Sequence, residues 1–277
     1  MDDVLSLIFS EIDFETYISM GKFYEAKKFY NPKKINFKTI YNETNFISFM
    51  LENDLQTFIN MTDIFAENGF LESLKYLHEN NLGKFSYKTM NLAIGYGHLE
   101  VVIFLHENRS EGCTKDAMNA AAMAGHLEIV KFLHKNRIEG CSAAAMDNAA
   151  ENGHLDVVKF LHENRIEGCT EDAMNWASKN GHLEVVKWLH FNRSEGCTTY
   201  AMDLAAENGH LEIVKFLHLN RSEGCTKDAM DYAAENGHLN VVKFLHKNRT
   251  EEFIEEATYE AVKNGYLDVV RYLESIQ

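Results

Sequence analysis

A repeat of 28 residues constrains this chain more than any other feature. Two of its units read CTKDAMNAAAMAGHLEIVKFLHKNRIEG (residues 113–140) and CTKDAMDYAAENGHLNVVKFLHKNRTEE (residues 225–252). The glycine of this pattern recurs at Gly69, Gly97, Gly125, Gly153, Gly181, Gly209, Gly237 and Gly265. A fixed period of this length is typical of a solenoid, in which each unit buries its apolar face against its neighbours. The period predicts about seven to eight units over residues 57–277.

Each unit is predicted to contain two helices. In residues 113–140, Thr114 is a candidate N-cap, and small or apolar side chains then recur on one face of a first helix. Gly125 suits the left-handed residue that ends a helix, because it has no Cβ. A second helix follows with a wide apolar arc. The chain has a single proline, Pro32, which also favours helix. The first face consists of Ala117, Met118, Ala121 and Ala122, and the second of Leu127, Ile129, Val130, Phe132 and Leu133.

These units resemble ankyrin repeats. The string Gly-His-Leu-Glu-Val-Val-Lys at 181–187 is similar to the ankyrin second helix with its lead-in, and the Ala-Ala pairs before such strings are similar to the end of the first helix. Ankyrin units run to about 33 residues and open with Thr-Pro-Leu-His, whereas these units are shorter and open with Thr/Ser-x-x-Ala-Met. They look most like the short ankyrin arrays of amoebae and giant viruses.

The resemblance implies an all-α, helix-turn-helix repeat solenoid. The residues that are missing relative to ankyrin fall where that family projects a β-hairpin finger. We therefore expect shortened or absent fingers, with a short loop at each Asn-Arg-x-Glu-Gly. The last unit ends after its second helix and is expected to be a C-terminal cap.

Histidine and cysteine occupy fixed positions of the repeat. The thirteen histidines form two columns and the five cysteines form a third. Equivalent residues of stacked helices lie roughly 8–10 Å apart, too far for four zinc ligands at about 2.0–2.3 Å or for a disulfide. We therefore predict structural packing for these columns, with no metal, no cofactor and no disulfide. No catalytic constellation departs from the repeat, so an enzyme is not expected.

The formal net charge of −15 points to a basic partner. An acidic surface repels phosphate backbones and anionic membranes, so neither nucleic acid nor membrane is expected as a partner. No apolar run is long enough to span a bilayer, and the N-terminus lacks the pattern of a secretory signal. The expected protein is an intracellular monomer, cytoplasmic rather than nuclear.

Positions that vary between units are the candidates for recognition. On the first helix they lie opposite the alanines, the face that lines the concave side of ankyrin arrays. This comparison predicts an acidic groove with aromatic residues at its centre. Two alternatives stay open, because the aromatic column could pack between helices and the acids could be a solvated face. The candidates are Trp176, Tyr200, Asp203, Leu204, Asp228, Asp231, Tyr232 and Glu235. Phe191 and Leu219 break a polar column of the second helix and could form a minor convex patch.

Residues 1–56 lie outside the period and are expected to be a separate helical region. Residues 3–13 resemble the start of an F-box, whose apolar helix binds the Skp-type adaptor of cullin–RING ubiquitin ligases. The usual Leu-Pro before that helix is replaced by Asp2 and Asp3. The region is thus either an N-terminal cap or a degenerate F-box, in which Leu5, Ile8 and Phe9 would dock the adaptor.

The sequence therefore predicts a non-catalytic scaffold that binds a basic segment of a protein partner on its concave face. The alternative is a substrate receptor of a cullin–RING ubiquitin ligase.

Overall fold

A computed structural model describes residues 18, 31, 35, 40, 42–249 and 254–276. This part of the chain contains eighteen α-helices and no β-strand, which confirms the predicted fold class. The helices are α1 (Glu43–Asn53), α2 (Leu55–Asn60), α3 (Thr62–Asn68), α4 (Leu71–Glu79), α5 (Tyr87–Gly95), α6 (Leu99–Asn108), α7 (Lys115–Met123), α8 (Leu127–Asn136), α9 (Ala144–Glu151), α10 (Leu155–Asn164), α11 (Asp172–Lys179), α12 (Leu183–Asn192), α13 (Tyr200–Glu207), α14 (Leu211–Asn220), α15 (Asp228–Glu235), α16 (Leu239–Asn248), α17 (Ile254–Asn264) and α18 (Leu267–Glu274).

The helices from α3 onward alternate between the first and the second helix of a repeat. Cα proximity divides the chain into two compact units, residues 1–117 and residues 118–277, with the division inside α7.

An aromatic cluster forms the core of the first unit. Helices α1 and α2 contribute Phe46 and Phe58, and the first repeat contributes Phe65 and Phe70, all buried. The ring centroids of Phe58 and Phe65 are 5.0 Å apart, and those of Phe46 and Phe65 are 6.2 Å apart in an edge-on arrangement. Glu43 adds a polar contact, because its carboxylate accepts a hydrogen bond of 2.5 Å from the backbone N–H of Ser73. Helices α1 and α2 thus cover the apolar face of the first repeat.

Small side chains set the packing of the second unit. The first helices α9, α11, α13 and α15 contact one another more extensively than the second helices do. Their buried residues are mostly alanine, for example Ala149 and Ala150, with one methionine in each helix. Small residues allow close approach of neighbouring backbones. The second helices instead keep aromatic rings between them.

The turn between the two helices is built around a glycine and a histidine. Gly125 has φ +74°, as predicted for a left-handed helix stop. A Cβ on this glycine would lie 2.6 Å from the ring of His154 in the next repeat. Glycine is therefore required twice at this position, by the left-handed backbone and by the close approach of the ring.

The loop Asn-Arg-x-Glu-Gly takes the place of a hairpin finger. In residues 164–168 the Asn164 side chain donates to the carbonyl of Phe160, which caps the end of α10. Arg165 pairs through two nitrogens with the carboxylate of Glu167, at 3.2 and 2.5 Å. Gly168 follows with φ +70° and returns the chain to the next first helix.

Candidate partner-binding groove

An open groove lies between the first helices α13 and α15. Its volume is about 520 Å³. The residues that line it are Tyr200, Asp203, Leu204, Glu207, Asp228, Tyr232, Glu235 and Asn236. Six of the eight sequence candidates are therefore brought together here, all except Trp176 and Asp231. We call these eight lining residues the α13–α15 groove.

Two tyrosines give the α13–α15 groove its apolar surface. Tyr200 is 64% exposed and Tyr232 is 39% exposed, and Leu204 lies half-buried near them. Exposed aromatic rings of this kind can interact with a cation. In the column of Ala120, Trp176, Leu204 and Tyr232, each side chain is partly packed and partly accessible.

Carboxylates dominate the electrostatics of the α13–α15 groove. Asp228 raises the pKa of the Tyr232 hydroxyl most strongly, and Glu207 and Glu235 act in the same direction. The groove therefore has a negative potential at the tyrosine. No lysine or arginine is found among its described lining residues. A cation that enters would meet both acidic groups and the faces of aromatic rings.

Trp176 lies one repeat before this groove and already contacts a cation of the chain itself. The Nζ atom of Lys179 is 5.0 Å from the centroid of the Trp176 ring. Both residues are half-buried on α11. The structure therefore places Trp176 apart from the open tyrosines.

The repeat pattern predicts that Asp203 and Asp231 lie on an exposed face of the first helix. In the structure both side chains are buried. Asp203 is 3% exposed and Asp231 is 7% exposed. The Asp203 carboxylate accepts hydrogen bonds from the backbone N–H and the hydroxyl of Thr226, at 2.8 and 3.0 Å. This carboxylate therefore joins α13 to the start of the next first helix.

The Asp203–Thr226 contact recurs along the chain, and we call it the brace. In each case an Asn or Asp side chain accepts from the backbone N–H of a Thr or Ser 23 residues later. The pairs are Asn91–Thr114, Asn119–Ser142, Asp147–Thr170, Asn175–Thr198 and Asp203–Thr226. Sequence reasoning missed this role, although the constant pairing of Asn/Asp with Thr/Ser at that interval was a readable signal.

Asp231 lies in the same column of the repeat, but the residue 23 positions later is neither Thr nor Ser. Position 254, which is 23 residues later, is isoleucine. The Oδ1 atom of Asp231 is buried and has no hydrogen-bond partner among the described residues. The Nζ atom of Lys227 is 4.0 Å from the other oxygen. Burial raises the pKa of Asp231 to about 6 against the opposing effect of Lys227, and Glu256 raises it further.

The two histidine columns contact neighbouring repeats. In the first column, the Nε2 atom of His210 is 3.0 Å from the carbonyl oxygen of Lys179, in the preceding repeat. In the second column, rings lie edge-on to an aromatic ring of the following repeat, as His134 does to Phe160 at 5.6 Å. Arg193 also reaches back, with a guanidinium nitrogen 3.1 Å from Nδ1 of His162.

The five cysteines are thiols that form no disulfide, and Cys141, Cys169 and Cys197 are buried. Burial raises the pKa of Cys169 and of Cys197 to about 11. Within the described ranges, no group of three or more His, Cys, Asp or Glu side chains has an arrangement that could hold a metal ion.

Other predicted sites lie away from the α13–α15 groove. Phe191 and Leu219 are 71% and 78% exposed at the ends of α12 and α14. The proposed adaptor-docking residues Leu5, Ile8 and Phe9 lie outside the described residues. Among the helices that the structure describes, none is both long and apolar enough to cross a bilayer.

Comparison with known proteins identifies the repeat. The family model described as ankyrin repeats (3 copies) matches residues 63–147, 92–172, 117–203, 174–256 and 202–275, which together span most of the chain. No curated protein matches the sequence. The chain therefore belongs to the ankyrin repeat family, whose repeats mediate protein–protein interactions.

Proposed function

We propose that this ankyrin array is a non-catalytic binding module, which captures a basic segment of a protein partner in the α13–α15 groove. The observation that carries the proposal is the combination of two exposed tyrosines with the carboxylates of Glu207, Asp228 and Glu235 in one open groove. Lysine and arginine interact favourably with both, through charge and through the aromatic faces.

The five cysteine thiols agree with the intracellular location expected from the sequence, since thiols persist in reducing compartments. Their raised pKa values leave the thiols of Cys169 and Cys197 protonated at neutral pH, which supports a packing role over a nucleophilic one.

Charge reversal in the groove tests the proposal. The probe is a short fluorescein-labelled peptide with two arginines in a glycine–serine background, and binding is followed by fluorescence anisotropy. We expect the variant Glu207→Lys/Glu235→Lys to weaken binding at least about tenfold, because a repulsive pair replaces an attractive one at the groove.

The matched control is Glu107→Lys/Glu163→Lys, which changes the net charge equally at two exposed positions on second helices. Its affinity should stay within about twofold of the unchanged chain. Equal losses in the two variants would show that the peptide responds to the overall charge, and the groove would then have no special role. A melting curve for each variant checks that the fold is retained.

The ligase-receptor alternative rests on the sequence of residues 3–13. It predicts that the full chain co-purifies with a Skp-type adaptor and a cullin, and that the variant Leu5→Asp/Ile8→Asp loses both while it retains the arginine peptide. Retention of the adaptor by this variant would remove the alternative.

A further inference from the structure

A charge pattern runs along the first helices on either side of the α13–α15 groove. At equivalent positions of successive repeats the chain has Met123, Glu151, Lys179, Glu207, Glu235 and Lys263. The two glutamates of the groove are thus flanked on each side by a lysine, one repeat away.

Both lysines lie near an aromatic ring, and Lys263 also pairs with a carboxylate. Lys179 lies over Trp176, with 5.0 Å between Nζ and the ring centroid. Lys263 donates to Glu260 at 2.8 Å and lies 5.9 Å from the ring centroid of Tyr259. The Lys179 ammonium group therefore lies against the Trp176 ring, whereas the Lys263 ammonium group is paired with Glu260 and leaves the Tyr259 ring 60% exposed.

Lys263 also interacts electrostatically with a residue of the groove. Glu260 raises the pKa of Lys263 most strongly, and Glu235 in the groove raises it too. Among the described first helices from α11 to α17, only α13 and α15 carry a glutamate at this position of the repeat. The repeats before and after carry a lysine at this position instead.

We propose that Lys179 and Lys263 mark the two ends of the cation-accepting groove, and that they select a segment with two central basic side chains flanked by acidic ones. This inference rests on the proposed function and specifies its ligand. Stacked helices lie about 8–10 Å apart, and an extended peptide advances about 3.3 Å per residue. The matching segment therefore has the pattern acidic-x-x-basic-x-x-basic-x-x-acidic.

The flanking residues of the bound segment affect its selection in two ways, through attraction of acidic side chains and repulsion of basic ones. An acidic side chain opposite Lys179 or Lys263 gains an ion pair at the rim of the groove. A basic side chain at that place meets a like charge. Like-charge contacts of this kind suppress wrong partners.

The experiment compares two labelled peptides that share the central arginines, one with aspartate and one with arginine at the flanking positions. Fluorescence anisotropy gives the ratio of their dissociation constants. The variant Lys179→Glu/Lys263→Glu should shift this ratio toward the arginine-flanked peptide at least about tenfold. The control Lys135→Glu/Lys247→Glu changes the net charge equally on exposed positions of second helices, and should shift it less than about threefold.

Equal shifts in the two variants would overturn the inference, because the preference would then follow net charge alone. The proposed function would still stand if both peptides bind the unchanged chain and if Glu207→Lys/Glu235→Lys weakens that binding. If neither peptide binds the unchanged chain, the proposed function fails and this inference fails with it.

Discussion

At the scale of single residues, Asp231 departs most from the repeat. Asp147 and Asp203 each accept two hydrogen bonds from a threonine of the next repeat, which partly offset the cost of burying a carboxylate. Asp231 keeps the burial, but Ile254 has no hydroxyl to replace the threonine. A charged group is thus buried with one oxygen unsatisfied among the described residues.

The raised pKa of Asp231 makes stability depend on pH. In the folded chain the Asp231 carboxyl keeps its proton up to about pH 6, whereas the ordinary pKa of an aspartate is 3.8. The unfolded chain loses this proton first, so the stability of the fold falls as the pH rises from about 3.8 to about 6, and the full penalty applies above pH 6. We expect Asp231→Asn to raise the free energy of unfolding by about 1 to 2 kcal/mol near neutral pH, because the amide removes the cost of burying a charge but also gives up the attraction to Lys227. Near pH 4 the gain should vanish.

Chemical denaturation at both pH values measures this effect. Asp203→Asn is the control, because Asn119 shows that an asparagine can make both contacts with the next repeat, at 3.0 and 2.9 Å. Its gain near neutral pH should be smaller than that of Asp231→Asn. A loss of stability in Asp231→Asn near neutral pH would contradict the account.

At the scale of elements, the turn between first and second helices offers a matched pair of glycines. Gly153 and Gly265 share φ +78°, but a Cβ added to Gly153 would lie 2.6 Å from the ring of His182, whereas a Cβ on Gly265 would meet no described atom within 4 Å. The His182 ring also bonds to the backbone of Glu151, so it is not free to move away. Substitutions at the two glycines therefore separate the effect of the close His182 ring from the effect of the left-handed backbone.

We expect Gly265→Ala to cost about 1 kcal/mol of unfolding free energy, from the left-handed backbone alone. Gly153→Ala should cost about 2 to 3 kcal/mol, because the ring must also shift. Urea denaturation of the two variants measures both costs. Equal costs would mean that the histidine yields without loss, and that strain alone explains the glycine column.

The sequence was sufficient to predict the elements and insufficient to predict several of their contacts. Helical periodicity located both helices of the repeat, and Gly125 was correctly read as a left-handed stop. The same reasoning placed Asp203 on an exposed face, because it assigns faces within one helix and does not consider a threonine 23 residues away. Glu207 was omitted from the candidates, although it occupies the same column as Glu235 and lines the same groove.

At the scale of the whole molecule, the net charge of −15 predicts how binding responds to salt. Attraction between the acidic chain and a two-arginine peptide is screened as the Debye length falls from about 14 Å near 0.05 M to about 4 Å near 0.5 M salt. We expect the affinity to fall by about tenfold or more over this range, with the association rate falling most. Anisotropy titrations and stopped-flow mixing measure the two quantities, and an affinity independent of salt would indicate apolar capture instead.

The braces and the histidine contacts also bear on how the chain folds. The side-chain hydrogen bonds that join successive repeats link residues between 22 and 31 positions apart. Closing loops of this size costs little more entropy than closing shorter ones, because the cost grows only with the logarithm of loop length. Low contact order favours rapid folding. Once two adjacent repeats have paired, each further repeat can add to a formed neighbour at the cost of one short loop, so the folding nucleus need not lie at a fixed place in the sequence.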